Sequence, residues 1–222
     1  DAGLYLKFAQ QAIALGRPVL AFDMMDEGLQ AFPGHHDMRY LSALALAKSG
    51  STGHARRVLD GLLRDTGVAP QLFVHALSLA GRIAKDHWSR LPEGPERGAE
   101  GEQSRRQYQR AYELSRDYFP GVNAATMSLL TGHVEEAAGL AQDVLGQCLS
   151  AAEKNSNDGW LLATLGEACM LLGKLEESAN WYRQAVAVAA GRFGDIASMR
   201  RQVKLLASKL HGLDEILAIL HI

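Results

Sequence analysis

The stretch LATLGEACMLLGKLEESANWYRQAV, residues 162–186, decides the fold of this chain. Apolar residues recur at helical spacing on both sides of Gly173, and the glycine interrupts that pattern once. Gly166 lies in the first half, and Tyr182 and Ala185 lie in the second half. A small residue such as Gly166 lets two helices approach closely. The stretch therefore predicts two helices that pack against each other around a tight turn.

A similar arrangement occurs near the start of the chain and repeats with a period of 34 residues. Two sets of small residues are separated by this period: Ala9, Gly16 and Ala21, then Ala43, Gly50 and Ala55. The period is the length of one tetratricopeptide (TPR) unit, a helix-turn-helix with small residues at its eighth and twentieth positions and a glycine turn near its fifteenth. Pro33 falls where the pattern places its helix-terminating residue. Residues 2–35 and 36–69 are therefore predicted to be the first two repeats.

Three further repeats follow when the same template is carried along the chain. The template residues are Leu77, Gly81 and Ala84 in the third repeat, which starts near Val74, and Ala125, Gly132 and Ala137 in the fourth, while the fifth contains 162–186. The stretch HWSRLPEGPERGAEGE at 87–102 has Pro, Gly and charged residues in place of a tight turn. It predicts a long exposed loop, with 87–101 as the largest irregular segment, before a helix at roughly 102–117.

The C-terminal segment predicts a helix that covers the last repeat. Its apolar residues recur at helical spacing: Ile196, Met199, Val203, Leu206 and Leu210. The final LDEILAILHI is a short amphipathic segment that either completes this cap or contacts a partner. No alternation of apolar and polar residues persists over the length of a strand. The predicted fold is all-α, a tetratricopeptide-like superhelix (α-α solenoid) of about five helix pairs plus a C-terminal capping helix.

Composition excludes several functions. The chain is 47% hydrophobic and 22% charged, as in an ordinary soluble protein, and its formal net charge of −2 disfavours a nucleic-acid polymer as partner. No apolar run approaches the roughly 20 residues of a membrane span, so no membrane partner and a cytoplasmic location are expected. Cys148 and Cys169 lie within apolar helical patterns without CxxC spacing, which indicates buried thiols.

Four segments carry a resemblance to a known family: GRIAKDHW (81–88), YFPGVNAATMSLLTG (118–132), GWLLATLGEACMLLGKLEESANWYRQA (159–185) and ASMRRQVKLLASKL (197–210). They resemble the TPR-type TRAFs-binding domain, found in the regulatory region of apoptosis signal-regulating kinases and in many bacterial proteins. The most specific part is PGVNAAT after a Tyr-Phe pair. The resemblance divides the chain into two generic repeats at 1–73 and a TRAFs-binding-like region with its cap at 74–222, within one continuous solenoid.

This resemblance implies a signalling role in a bacterial protein. Bacterial members of the family lie beside effector or nucleotide-processing domains, and a specialised version has been proposed to sense a nucleotide-derived small ligand. The kinase members use the region for regulation by protein partners. For this chain the resemblance implies a non-catalytic module with a protein partner or an effector domain, a possible small nucleotide-derived ligand, and no cofactor.

The residues expected in the binding groove follow from their positions in the repeat. The first helix of each TPR pair lines a concave groove with its second, fifth, ninth, twelfth and thirteenth positions. The predicted site residues are Arg82, Lys85 and Asp86 in repeat three, Asn123 and Thr126 in repeat four, Trp160 and Glu167 in repeat five, and Arg200 and Arg201 on the cap. Cations bind phosphate or carboxylate, and an aromatic face stacks a flat group. This set fits a small anionic, flat ligand or an acidic peptide.

Seven of these nine residues also have a purely structural explanation. Arg82, Lys85 and Asp86 can form local ion pairs on a solvated helix turn. Asn123 can bond the backbone near its helix start, Trp160 can be a packing aromatic, and cations on a terminal helix are commonly exposed. These alternatives leave the ligand-binding hypothesis open at those seven positions.

The second class of function is a pure assembly scaffold with no small ligand. An uncovered apolar segment at Ile216, Leu217, Ile219 and Leu220 would favour it. An enzyme is not predicted, because the chain lacks GxxxxGK[ST], GxSxG and HExxH. The cluster at 35–37, His-His-Asp, has no matching ligand elsewhere in the sequence, so no metal site is predicted.

Overall fold

A computed structural model describes residues 1–154 and 157–221, and within these ranges every regular element is an α-helix. The helices follow one another as α1 (Ala2–Ala14), α2 (Pro18–Ala31), α3 (His36–Lys48), α4 (Thr52–Leu63), α5 (Pro70–Trp88), α6 (Pro95–Ser115), α7 (Tyr118–Leu130), α8 (Val134–Ala152), α9 (Gly159–Leu171), α10 (Leu175–Val188), α11 (Phe193–Leu206) and α12 (Asp214–Ile219). The predicted all-α class, with consecutive helix pairs and a C-terminal cap, is confirmed.

The chain divides into two compact units, Asp1–Asp86 and His87–Ile222. The first contains α1 to α4 and most of α5, and the second contains the end of α5 and α6 to α12. The predicted division between residues 73 and 74 concerns the kind of repeat, and it remains a prediction, as does one continuous solenoid.

Small residues lie where the helices of a pair meet. Ala9 and Ala21 are completely buried in one core cluster of the first unit. Ala43 and Ala55 are completely buried in the next cluster. The turns between these helices need a left-handed backbone, and Gly50 supplies it with a φ of 89°. The small residues that recur with the 34-residue period are therefore buried in the core of the first unit, as their positions in the repeat predict.

A close contact of this kind joins α9 and α10 in the second unit. A Cβ atom added to Gly166 would lie 2.8 Å from two ring carbons of Tyr182, and this ring is almost completely buried. The hydroxyl of Ser178 donates a 2.7 Å hydrogen bond to the carbonyl oxygen of Gly166. The α9 backbone thus contacts α10 through the space that a side chain would otherwise fill.

The C-terminal helices complete the core of the second unit. Met199 and Val203 of α11 are buried in the same cluster as Tyr182. Ile216 and Leu220, from α12 and its C-cap, are buried in that cluster as well, and α12 packs against α10 and α11. The terminal segment therefore completes the cap, which decides one of the two alternatives left open by the sequence.

The prediction of a long loop over 87–101 was wrong. Helix α5 continues to Trp88 and α6 begins at Pro95, which leaves only 89–94 between them. A proline in the first helical turn needs no N–H partner, so Pro95 begins a helix instead of interrupting one. Helix α6 consequently spans 95–115 and not the predicted 102–117.

Side-chain contacts stabilise this added length of helix. The guanidinium carbon of Arg97 lies 4.4 Å from the Trp88 ring centroid, a cation–π contact. The His87 ring nitrogen lies 3.1 Å from a Glu100 carboxylate oxygen. A Cβ on Gly101 would lie 3.0 Å from the Trp88 ring, so this glycine allows close packing. The glycine and the charges that suggested a loop are used for helix contacts.

The contact at Gly166 generates a stability prediction. Gly166→Leu should lower the free energy of unfolding by at least about 1–3 kcal/mol, because the new side chain overpacks against the buried Tyr182 ring. Each 1 kcal/mol corresponds to roughly 2–4 °C in a domain of this size, and a melting curve followed by circular dichroism measures it.

Gly146→Leu is the matched control, because Gly146 also lies within a helix and a Cβ there meets no atom within 4 Å. This variant should melt at or above the temperature of the unmodified protein, since leucine favours helix more than glycine does. Equal melting temperatures for the two leucine variants would contradict the packing assigned to Gly166.

Candidate functional site

Four side chains from α3 and α5 form a candidate binding surface in the first unit. Tyr40 and Lys48 lie on α3, and His75 and Arg82 lie on α5. The Tyr40 and His75 rings have centroids 6.1 Å apart and an interplanar angle of 37°. Arg82 lies close enough to both Tyr40 and Lys48 for its charge to act on them. We call these four residues the first-unit groove face.

The electrostatics of this face favour an anion. Partial burial lowers the pKa of the Lys48 ammonium, and the positive charge of Arg82 lowers it further. Burial raises the pKa of Tyr40, whereas Arg82 acts in the opposite direction. Two exposed cations thus repel each other on this face. A bound anion would relieve that repulsion, and perturbed pKa values of this kind are common at functional sites.

Structural reasons for each cation also exist. Lys48 lies in the last turn of α3, where a positive charge interacts favourably with the helix dipole. Arg82 faces Asp86 one turn later, with 3.8 Å between Nε and Oδ2, and both side chains are about half exposed. An exposed pair at this distance contributes little to stability. Local pairing therefore accounts for Asp86 but not for the proximity of Lys48 and Arg82.

The predicted groove residues of the second unit hydrogen-bond one another. Thr126 on α7 is completely buried, and its hydroxyl donates a 2.5 Å hydrogen bond to Oε1 of Glu167 on α9. Gln202 on α11 donates to the same oxygen at 2.7 Å. Glu167 is itself buried, with 8% of its surface exposed. A polar network thus links α7, α9 and α11.

This network gives Thr126 and Glu167 a structural role. Buried polar groups require partners, and each supplies one to the other. Burial raises the pKa of Tyr182 well above its usual value, and the nearby Glu167 contributes to the same shift. Sequence reasoning missed Gln202, although it lies three residues after Met199 and four before Leu206, on the packed side of α11.

The remaining predicted residues have different environments. Asn123 donates a 2.9 Å hydrogen bond to the Phe119 carbonyl oxygen one turn earlier, as its structural explanation requires. Trp160 is 48% exposed, which argues against a purely packing role. Arg200 is partly buried, and Arg201 is exposed and donates to the Ser198 hydroxyl at 2.7 Å.

The predicted set is distributed over both units. Arg82, Lys85 and Asp86 belong to the first, with Lys85 half-buried, while Asn123, Thr126, Trp160, Glu167, Arg200 and Arg201 belong to the second. The structure brings Thr126 and Glu167 together, and it brings Arg82 and Asp86 together. That seven of them converge across one concavity remains a prediction: Arg82, Lys85, Asn123, Thr126, Trp160, Glu167 and Arg200.

A second charged cluster, which the sequence did not indicate, lies on α6 and the α7–α8 turn. Arg105 contacts the carboxylates of Glu102 and Glu136 at 2.9 and 2.7 Å. A ring nitrogen of His133 lies 2.8 Å from Glu102. These pairs join helices α6 and α8, and the pKa of Glu102 is lowered because the Arg105 and His133 contacts outweigh the effect of burial. The cluster therefore has a structural explanation.

The two cysteine thiols are buried in the core, and the His36 ring contacts a carboxylate. Cys148 and Cys169 are completely buried, and burial raises their pKa values to about 12 and about 11, which disfavours the reactive thiolate. A ring nitrogen of His36 lies 3.0 Å from Asp65, which also accepts from Arg39.

In residues 1–154 and 157–221, no group of three His, Cys, Asp or Glu side chains could hold a metal ion. No helix in these ranges has the length and hydrophobicity of a membrane span.

Comparison with known proteins gives one family match and several similar folds. The model of the family described as Tetratricopeptide Repeats-Sensor matches residues 10–128, which is more than half of the chain. No curated protein matches the sequence. The resemblance to the TRAFs-binding type over 74–210 remains a prediction.

Two solved structures illustrate the similarity of fold. The chain is similar to TTC0263, a thermophilic TPR protein in Thermus thermophilus, with a TM-score of 0.69 and 17% identity over 93% of this chain and 99% of that one. It is also similar to MamA 41-end from Desulfovibrio magneticus RS-1, with a TM-score of 0.54 and 14% identity over 85% and 95% of the two chains. At these identities the similarity establishes the fold.

The second-unit network generates a stability prediction. Thr126→Val keeps the shape of the side chain but removes the donor to the buried Glu167. It should lower the free energy of unfolding by about 1–3 kcal/mol, as measured by urea denaturation.

Thr164→Val provides the control, since Thr164 lies on α9 and donates to the Trp160 carbonyl oxygen of its own helix. That carbonyl keeps its helical environment, so a loss below about 1 kcal/mol is expected. A larger loss at Thr164 than at Thr126 would contradict the network.

Proposed function

Because the chain belongs to the Tetratricopeptide Repeats-Sensor family, we propose that it is a non-catalytic signalling module of the bacterial cytoplasm that binds an anionic ligand. The ligand is an acidic segment of a protein partner, and its site is the first-unit groove face. Binding there regulates the partner or an effector domain. The single observation that carries this proposal is the proximity of Lys48 and Arg82 on successive first helices.

The charge arrangement is the first support for the proposal. Lys48 has a lowered pKa because it is partly buried and because its charged neighbour is another cation. A carboxylate placed between the two would interact favourably with both, through the planar fork of Arg82 and the ammonium of Lys48. Binding would also relieve the repulsion between Lys48 and Arg82 in the free protein, and this relief would add to the affinity.

The rings beside the cations are the second support. Tyr40 and His75 are in contact across α3 and α5, and Tyr40 is partly buried while His75 is exposed. Aromatic faces next to cations suit a ligand that combines negative charge with an apolar or flat group. An acidic segment with an apolar residue meets this requirement, as does a nucleotide-like molecule.

The choice between these ligands rests on the repeat type and on the charge at one end of the face. It lies on helices of a repeat type that generally binds protein segments, and Asp86 beside Arg82 makes one end of the face acidic. A ligand with several phosphates would meet that carboxylate, whereas a peptide can place a basic or neutral residue there. We therefore favour the acidic peptide and retain the nucleotide-like anion as the alternative that the titration below distinguishes.

The second unit has a supporting role in this proposal. Its TRAFs-binding resemblance favours contact with an effector, and the exposed Trp160 offers an aromatic surface for it. Thr126 and Glu167 hold their helices in place through the network with Gln202. In this proposal Thr126 and Glu167 hold in place the helices of the second unit, and they do not contact the ligand.

The assembly-scaffold alternative loses its predicted support at the C-terminus. Ile216 and Leu220 are almost completely buried, and Leu217 and Ile219 are partly buried. The terminal segment therefore does not present the uncovered apolar surface that would have favoured a scaffold over a ligand-binding module.

The proposal predicts that Lys48→Ala combined with Arg82→Ala weakens ligand binding at least tenfold. The ligand in the calorimetric titration is a synthetic peptide of mixed Glu, Asp and Leu, at two salt concentrations, and affinity should fall as salt screens the charges. The melting temperature should stay equal or rise, because the substitution removes a repulsion. Parallel titrations with ATP and a cyclic dinucleotide identify a nucleotide ligand.

Arg57→Ala combined with Arg64→Ala is the matched control, with the same charge change in the same unit but on and after α4, a second helix. It should leave the affinity within a factor of about two. Equal losses in both double variants would show a non-specific charge effect, and no binding of the peptide or of either nucleotide by the unmodified chain would contradict the proposal.

A further inference from the structure

The first-unit groove face has two ends that lie about two helical turns apart. On α5, Arg82 follows His75 by seven residues, and on α3, Lys48 follows Tyr40 by eight residues. The Tyr40 and His75 rings are in contact, and Arg82 lies close to Lys48, so the two helices run in the same direction. At 1.5 Å per residue the two ends are roughly 10–12 Å apart. One end of the face is aromatic and the other is cationic.

The surface between the two ends carries no charge. Leu44 lies halfway along α3, four residues after Tyr40 and four before Lys48, and it is partly buried against the core of the first unit. On α5, Ser78 lies one turn after His75 and is only 9% exposed. A ligand can therefore contact both ends without covering a charged group between them, which would cost desolvation energy.

The aromatic end offers the exposed ring of His75. This ring is tilted by 37° against the partly buried Tyr40 ring, with 6.1 Å between the centroids. Two rings at this separation are already in contact, so a third ring packs on the outer side of His75 and not between them. Aromatic pairs in tilted or offset geometry gain energy beyond the burial of apolar area. An aromatic residue of the ligand therefore fits this end better than a small apolar residue does.

The distance between the ends selects the conformation of the ligand. In a polyproline II helix, residues three positions apart lie on the same side and are roughly 9 Å apart. In a β-strand, residues on one side are two or four positions apart, at roughly 7 or 13 Å. An α-helix matches the distance at a spacing of seven but is about 10–12 Å wide. The contact between the Tyr40 and His75 rings leaves no groove of that width at the aromatic end.

We propose that the acidic segment bound by the first-unit groove face has an aromatic residue three positions from its acidic residue. The carboxylate lies between Lys48 and Arg82, and the aromatic ring packs on His75. The residues between them cross Leu44 and Ser78 in a polyproline II conformation. This inference rests on the proposed function, because it specifies the ligand of the same site.

Calorimetric titration of the full chain with a series of proline-rich peptides tests the spacing. Each peptide contains one Glu, one Phe and the same number of prolines, with Glu and Phe one to seven positions apart and in either chain direction. The affinity should be highest at a spacing of three and at least fivefold lower at two and four. Only a spacing of three places both side chains on one side of the peptide at the required distance.

The variant His75→Ala tests where the aromatic residue binds. At a spacing of three, replacing the peptide's Phe by Ala should weaken binding to the unmodified chain at least fivefold. The same replacement should weaken binding to His75→Ala less than twofold, since the ring has already lost its contact. His54→Ala is the matched control. His54 also has an exposed ring in contact with a partly buried aromatic residue, Phe22, but it lies on α4, a second helix. This control should keep the full fivefold effect.

The outcomes separate this inference from the proposed function. Equal affinities at all spacings, an optimum at another spacing such as seven, or a Phe effect that survives His75→Ala would each overturn the inference. The ligand site would still stand if Lys48→Ala combined with Arg82→Ala weakened binding of the same peptides. No binding of any acidic peptide would contradict both the inference and the proposed function.

Discussion

Close contact between the two helices of each pair is the constraint on which the rest of this structure depends. It is achieved by removing side-chain volume at the crossing, with Ala9 and Ala21 buried together in the first repeat and the Gly166 backbone against the Tyr182 ring in the last. Protein interiors are packed as densely as organic crystals, so a methyl group added at Gly166 would force the Tyr182 ring or the helices to move. The geometry of each helix pair is thereby determined by its buried residues and not by its exposed ones.

Fixed pairs determine which side chains successive first helices present next to one another. In the first unit this brings Lys48 and Arg82 together although they repel, an arrangement that packing alone does not favour. In the second unit Thr126 and Glu167, which occupy the same ninth position as Arg82, hydrogen-bond to each other, and Glu167 also accepts from Gln202. One unit retains unfavourable charge that a ligand can relieve, whereas the other uses its polar groups to stabilise the fold. This difference is the physical basis for assigning recognition to the first unit.

The sequence predicted features that depend on local spacing and missed those that depend on a distant partner. Ala43, Ala55 and Gly50 were identified because their chemistry follows directly from their positions in the repeat. The helix start at Pro95 was missed because proline both ends and begins helices, and the choice depends on Arg97 reaching the Trp88 ring.

The candidate site shows the same limit. Arg82 was identified by its repeat position, and the same rule applied to the second repeat would have selected Lys48 at its thirteenth position. The effect of Arg82 on the pKa of Lys48 could not be obtained from the sequence, because it depends on how α3 and α5 pack. Glu167 was assigned to a ligand from its position alone, whereas its partners on α7 and α11 are known only from the structure.

Mapping of backbone amide shifts by NMR, during titration with the acidic peptide, tests the central claim most directly. The account predicts that the largest shifts occur over 40–48 and 75–86, with little change in α7, α9 and α11. Saturable shifts centred on 119–130 or 160–171, with none at Lys48 and Arg82, would contradict it.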